Sequence, residues 1–144
     1  MHNPFVSRLL VVIQFSMIGL LLWQAPWFAD SWIGRLVQMA GVITGLWAVA
    51  AMRRFNIVPD PRPDCRLVCH GPYRWVRHPM YLALLLVFTP PVVEHPEPIT
   101  LAAWVVLAID LIVKLLYEER LLRRKLDGYA DYCCRSHRLI PFLW

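Results

Sequence analysis

Four apolar stretches, separated by short polar or proline-rich connectors, organise this chain. The first runs from Phe5 to Trp23 and is interrupted only by Arg8 and Gln14. Nineteen residues at about 1.5 Å each reach roughly 28 Å, close to the thickness of a bilayer's hydrocarbon core. The run ends in the bulky WQAPWF, so it predicts a retained helix rather than a cleaved leader. The second stretch, Trp32 to Met52, carries Gly34, Gly41 and Gly45 among small residues, a face suited to close helix packing. The third, Met80 to Val93, is shorter and holds Pro90 and Pro91; it spans only if its flanks lie near the interfaces. The fourth, Leu101 to Tyr117, contains Asp110 and Lys114. Beyond it, Leu121, Leu122, Leu126, Tyr129 and Tyr132 recur at near-helical spacing among charges, the pattern of a surface amphipathic helix.

The predicted fold class is therefore all-α. It is a polytopic membrane bundle of about four transmembrane helices (5–23, 32–52, 80–93, 101–117) with a C-terminal amphipathic cytoplasmic helix. One domain covers residues 1–144, with a loop over 53–79 and a tail over 118–144.

Composition agrees: 58% of the 144 residues are hydrophobic and only 17% charged, against about 25% charged in soluble domains. That balance excludes a disordered tail, a disulfide-rich module and a multidomain enzyme. The net charge of +5 changes the picture through its placement. Arg53, Arg54, Arg62, Arg66, Arg74 and Arg77 lie between stretches two and three. Arg120, Arg123, Arg124, Lys125, Arg135 and Arg138 follow stretch four. The two other connectors hold no Lys or Arg, apart from Arg35 just past the first. Cytoplasmic segments collect such residues, so both termini and the long loop are expected in the cytoplasm, in the inner or plasma membrane of a bacterium. The basic excess is thus a topology signal, and nucleic acid is not an expected partner. Trp23, Trp27 and Trp32 read as interfacial anchors.

Two blocks carry more chemistry than linkers require. In the first, LVCHGPYRWVRHPMY from Leu67 to Tyr81, Gly71-Pro72 makes a turn and Pro79 opens a helix. The free N–H groups of that helix, with Arg74, Arg77 or His78, suit a ligand carboxylate. In the second, Asp110, Lys114 and Glu118 are four residues apart and form one helical stripe. Two readings stand for Asp110: a functional group facing the bundle interior, or a partner neutralised by a snorkelling Lys114.

GPYRWVRHPMY, EERLL, GYADY and RLIP, in this order and spacing, resemble the isoprenylcysteine carboxyl methyltransferase family, itself similar to the phospholipid N-methyltransferases. The likeness covers roughly residues 58–144. It implies a membrane methyltransferase that uses S-adenosylmethionine and takes a lipophilic acceptor. By position it implies cofactor contacts from Cys65, Arg66, Leu67 and Val68, from Tyr73, His78, Pro79, Met80 and Tyr81, and from Glu118. Lys114 matches an arginine linked to substrate binding and catalysis. The sequence departs from the family pattern at Ala83, where glycine is usual, and at Lys114, which lacks the bidentate fork that grips a carboxylate. If the acceptor is an amine, Glu118 or Glu119 could remove its proton.

The same residues admit other readings. Cys65, Cys69, Cys133 and Cys134, with His70 and His137, have spacings unlike a zinc finger or ribbon, so no metal is expected. Vicinal Cys133-Cys134 is also a candidate for acylation. An NADPH-dependent sterol-type reductase shares the RHPxY and paired-glutamate pattern but is much longer. A non-catalytic membrane scaffold would keep the helices without needing the polar set. The 144 residues are expected to be a near-minimal version of the enzyme.

Overall fold

The computed structural model describes residues 4–52, 70–125 and 129–139. Among these described residues five α-helices follow one another: α1 (Pro4–Gln24), α2 (Trp32–Ala51), α3 (Pro79–Glu94), α4 (Pro98–Lys125) and α5 (Tyr129–Arg135). A short 3-10 turn, Gly71–Arg74, precedes α3. Helices α1, α2 and α4 are each long and apolar enough to cross a membrane. The 16 residues of α3 reach roughly 24 Å, slightly less than a hydrocarbon core. The four pack in the spatial order α2–α3–α4–α1. Phe15, Leu22, Met39, Ile43, Leu46 and Val113 are among many large apolar side chains left exposed around the bundle. Water would not tolerate that surface, but lipid does.

The glycine face of α2 sets its closeness to α3. A Cβ on Gly41 would lie 2.9 Å from the Leu86 Cβ and 3.0 Å from the Ala83 carbonyl. At Gly45 it would lie 3.3 Å from the Ala83 Cβ. Ala83, buried against this face, therefore keeps the contact expected of a small residue there. Packing of α1 on α4 uses Leu21, Leu107, Leu111 and Leu115, all nearly inaccessible.

Pro90 and Pro91 lie inside α3 without ending it. Pro91 has no N–H for the carbonyl of Val87, four residues back. The side-chain amide of Gln38 on α2 takes that place, donating from Nε2 to Val87 O at 3.1 Å. The same amide donates to Trp27 O and accepts from Ala29 N, so one buried Gln ties α2, α3 and the α1–α2 connector together. Glu94, at the end of α3, accepts from the backbone N–H groups of Asp30 and Ser31 and from the Ser31 hydroxyl. Ser31 in turn caps α2 through Gly34 N at 2.9 Å. Arg35 donates to Ala29 O.

One expected boundary is corrected. The fourth span was expected to end at Tyr117, with a separate amphipathic helix beginning at Glu118. Instead α4 continues unbroken to Lys125 over 28 residues, about 42 Å. Hydropathy falls after Tyr117, but Glu, Arg, Leu and Lys are all good helix formers, so nothing stops the helix. Tyr129 and Tyr132 belong to the short α5, and Leu126 lies outside the described residues.

Gln38→Leu keeps the side chain's bulk but strands Val87 O and Ala29 N. It is expected to destabilise the protein by about 1–2 kcal/mol. Thermal melting in detergent, followed by tryptophan fluorescence, measures this. An unchanged melting temperature would show that Gln38 does not replace the bond lost at Pro91.

Candidate active site

The residues of the two motif blocks collect at the arginine-bearing end of the bundle. Gly71 adopts φ +62°, which glycine tolerates, and lies so close to α2 that a Cβ would sit 3.1 Å from the Ala51 Cβ. That approach docks the 3-10 turn on α2 and buries Tyr73 against Ala48 and Ala51. The chain then runs as an extended strap into α3. Trp75 O accepts from His137 N at 2.9 Å, and His137 O from Arg77 N at 2.7 Å. Arg138 O accepts from His78 N at 3.1 Å. Val76 and His137 thus form a single parallel bridge between the strap and the segment after α5.

Glu119 on α4 holds this junction. Its carboxylate is 3% exposed and receives Arg77 Nε at 2.7 Å and Arg138 Nε at 3.1 Å. Arg77 Nη1 also donates to the carbonyls of Cys133 and Ser136. Tyr132 closes the other side by donating its hydroxyl to Tyr73 O. Loop, α4 and tail are therefore cross-linked through polar groups shielded from water.

Glu118, one residue earlier, is only partly buried and turns toward His78. Its Oε2 lies 3.4 Å from His78 Nδ1, while His78 Nε2 lies 3.8 Å from Glu119. Burial alone would lower the His78 pKa, but interaction with the two negatively charged glutamates outweighs it and raises it. Tyr73 is pushed up to about 12, first by burial and then by the charge of Glu118. The ring of Tyr81 stacks on His78, centroids 5.3 Å apart and nearly parallel. Lys114, 1% exposed, sits with Nζ 5.7 Å from the Tyr81 centroid and donates to Gln14 Oε1 at 2.5 Å.

The structure thus brings together Tyr73, His78, Pro79, Met80, Tyr81, Lys114 and Glu118. Cys65, Arg66, Leu67 and Val68 lie outside the described residues, as does Cys69. Cys133 and Cys134 are free thiols. Three of the groups expected to make an anion site at the start of α3 are engaged elsewhere. Arg77 is committed to Glu119, Arg74 is exposed, and the N–H groups of His78 and Tyr81 are already bonded. Sequence alone points Arg77 to an anion site and Glu119 to a role as a base, but not to their pairing with each other, and it assigns no site role to Arg138 or Gln14. For Gln14 the signal was present: an amide inside an otherwise apolar span usually has a partner.

The donor set suits S-adenosylmethionine. A partly open carboxylate at Glu118 can accept from ammonium or hydroxyl groups, and the aromatic rings at 73, 78 and 81 can face a cation or a purine. The His78 Nε2, buried without a hydrogen bond, leaves one polar atom there unsatisfied.

Because the folded state raises the His78 pKa above its ordinary 6.5, protonated His78 favours the folded junction. That contribution is complete at lower pH and is lost as pH rises through the raised value. Melting temperature in detergent is expected to fall from pH 6 to pH 8, and His78→Gln is expected to flatten this slope. An equal slope in the variant would place the dependence elsewhere.

The chain is 28% identical over 135 residues to the nickel-cobalt-cadmium resistance protein NccN of Alcaligenes xylosoxydans xylosoxydans. The match covers 92% of this chain and 62% of that protein, so the chain spans about three fifths of its relative's length. No solved structure matches. Residues 29–127, which include α2, the strap, α3 and the paired glutamates of α4, match the phospholipid methyltransferase family, and the chain belongs to that family of integral-membrane methyltransferases.

Proposed function

We propose that this protein transfers a methyl group from S-adenosylmethionine to a lipophilic acceptor that enters from the bilayer. The observation that carries the reading is the pairing of two adjacent glutamates with opposite tasks. Glu119 is fully engaged in holding the strap, which leaves Glu118 facing His78, Tyr73, Tyr81 and Lys114 with a carboxylate still partly open. By the distribution of arginines, this end faces the cytoplasm.

When bound, the cofactor supplies an electrophilic methyl group on a sulfonium. Glu118 is proposed to hold it by accepting hydrogen bonds, and the rings of Tyr73 and Tyr81 to face its positive charge. Backbone from Cys65 to Val68, with Pro79 and Met80, is proposed to complete the pocket. Lys114, oriented by Gln14, sets the charge met by the acceptor. Such transfer requires alignment and exclusion of water more than a covalent step, which suits a buried, cross-linked site among apolar helices. The likeness to isoprenylcysteine carboxyl methyltransferases belongs to this proposal, with the acceptor itself left open.

Titration calorimetry of the detergent-purified protein tests the reading with S-adenosylmethionine, its demethylated product and NADPH. The first two are expected to bind. Glu118→Ala is expected to weaken them at least tenfold, whereas Lys114→Met retains binding and loses turnover. Binding of NADPH alone would favour a reductase, and binding of none of the three a scaffold.

A second reading concerns setting. The relative NccN is named for nickel, cobalt and cadmium resistance. At the opposite end of this bundle Asp30, Glu94 and His95 bring their ligand atoms within 4.8 Å of one another. His95 Nε2 lies 2.8 Å from Asp30 Oδ2. A carboxylate–imidazole set of this kind suits divalent transition metals. Calorimetry with Ni²⁺ and Co²⁺ is expected to show one site that His95→Ala weakens at least tenfold. Equal heats from both proteins would leave the trio as a hydrogen-bonded clasp between connectors.

A further inference from the structure

Helix α4 carries a carboxylate that neither the fold nor the proposed cofactor site uses. Asp110 is 4% exposed, and neither of its oxygens has a hydrogen-bond partner. It lies near the middle of the helix, between the core residues Leu107 and Leu111. An ionisable group in this position is costly when unsatisfied, and within a membrane span it is a candidate for function. Lys114, one turn away, offsets its charge but leaves both oxygens without a hydrogen bond. The Lys114 ammonium is aimed across the helix interface at Gln14, and Asp110 receives no hydrogen bond from it.

The surroundings describe a polar seam. The buried face of α1 presents Ser7, Leu10, Gln14 and Leu21, spaced to lie along one side. Gln14 meets Lys114 across this face. The hydroxyl of Ser7 is also buried without a partner. On α4 the stripe Asp110, Lys114, Glu118 descends from the cofactor residues toward mid-bundle, roughly 12 Å for eight residues. The seam therefore begins at the candidate site and ends at acceptor oxygens with nothing to accept.

We propose that Asp110 is a specificity-determining residue that receives the hydrogen-bond donor of the methyl acceptor's head group. This rests on the methyltransferase reading above. A head group bearing N–H or O–H satisfies the stranded oxygens, whereas a carboxylate head meets a like charge. The lysine at position 114 strengthens the bias. A single ammonium already shared with Gln14 grips a carboxylate less well than the two-pronged guanidinium it replaces.

Three amphiphiles with the same twelve-carbon tail and different heads test the inference: dodecylamine, dodecanol and dodecanoate. Their affinity is measured for the full chain in nanodiscs, alongside that of S-adenosylmethionine. Donor-bearing heads are expected to bind at least tenfold more tightly than dodecanoate. Asp110→Asn is expected to remove most of this preference for the amine while leaving S-adenosylmethionine affinity unchanged. A head-group preference that Asp110→Asn does not alter overturns the inference. Failure of the unsubstituted protein to bind S-adenosylmethionine overturns the methyltransferase reading instead. If Asp110→Asn does not fold, an alkylamine carrying a photoreactive diazirine decides on the unsubstituted chain. Labelling of the 107–114 stretch of α4 supports the inference, and labelling confined to the lipid-facing surface overturns it.

Discussion

The geometry of the candidate site depends on one buried carboxylate. Glu119 would be costly alone in its setting, but Arg77 and Arg138 approach its two oxygens from different segments. The remaining donors of Arg77 are taken up by carbonyls of the tail. Each group satisfies another, so losing any one strands the rest. This mutual dependence joins the segment before α3, the charged extension of α4 and the segment after α5. It also explains why the two glutamates are adjacent. Successive helical residues point about 100° apart, so one can face the junction while its neighbour faces the pocket.

At the other end, polar side chains again do the joining. Gln38 supplies the donor that Pro91 cannot, and Glu94 gathers the N–H groups of the α1–α2 connector. Between these two polar ends the helices meet through leucines and through the glycine face of α2. In lipid there is little hydrophobic gain from bringing helices together, so close backbone approach and interhelical hydrogen bonds must carry more of the specificity. Among the described residues, the interior of the bundle departs from this plan along Gln14, Lys114 and Asp110. That departure is where function is to be sought.

Much of this was legible in the sequence. The four apolar stretches appear as α1 to α4, with α3 within one residue at either end of its expected range. Tyr73, His78, Tyr81, Lys114 and Glu118 come together as their motifs implied. What hydropathy could not show is where a helix stops when its residues become charged but remain good helix formers, as after Tyr117. Nor could it show that Arg77 would be drawn away from an incoming anion. That outcome depends on a carboxylate 42 positions later and on carbonyls beyond α5, contacts that no local pattern encodes. Gln38 was hidden for the same reason, since its partner carbonyl becomes free only through Pro91 on another helix.

Lys114 shows how far the site reaches beyond its motif. The family match begins at residue 29, so α1 lies outside it. Read from sequence, α1 is a generic hydrophobic helix. Yet Gln14 on α1 receives the Lys114 ammonium, and Ser7 on the same face leaves another polar atom in the seam. A flexible lysine has many orientations, and an acceptor fixed on a neighbouring helix selects among them. The shared segment thus supplies the charge, while a helix outside that segment sets its direction. Differences in what such proteins accept should then be sought on the first helix, at positions equivalent to Ser7 and Gln14, as much as in the RHPxY and paired-glutamate blocks that define their likeness.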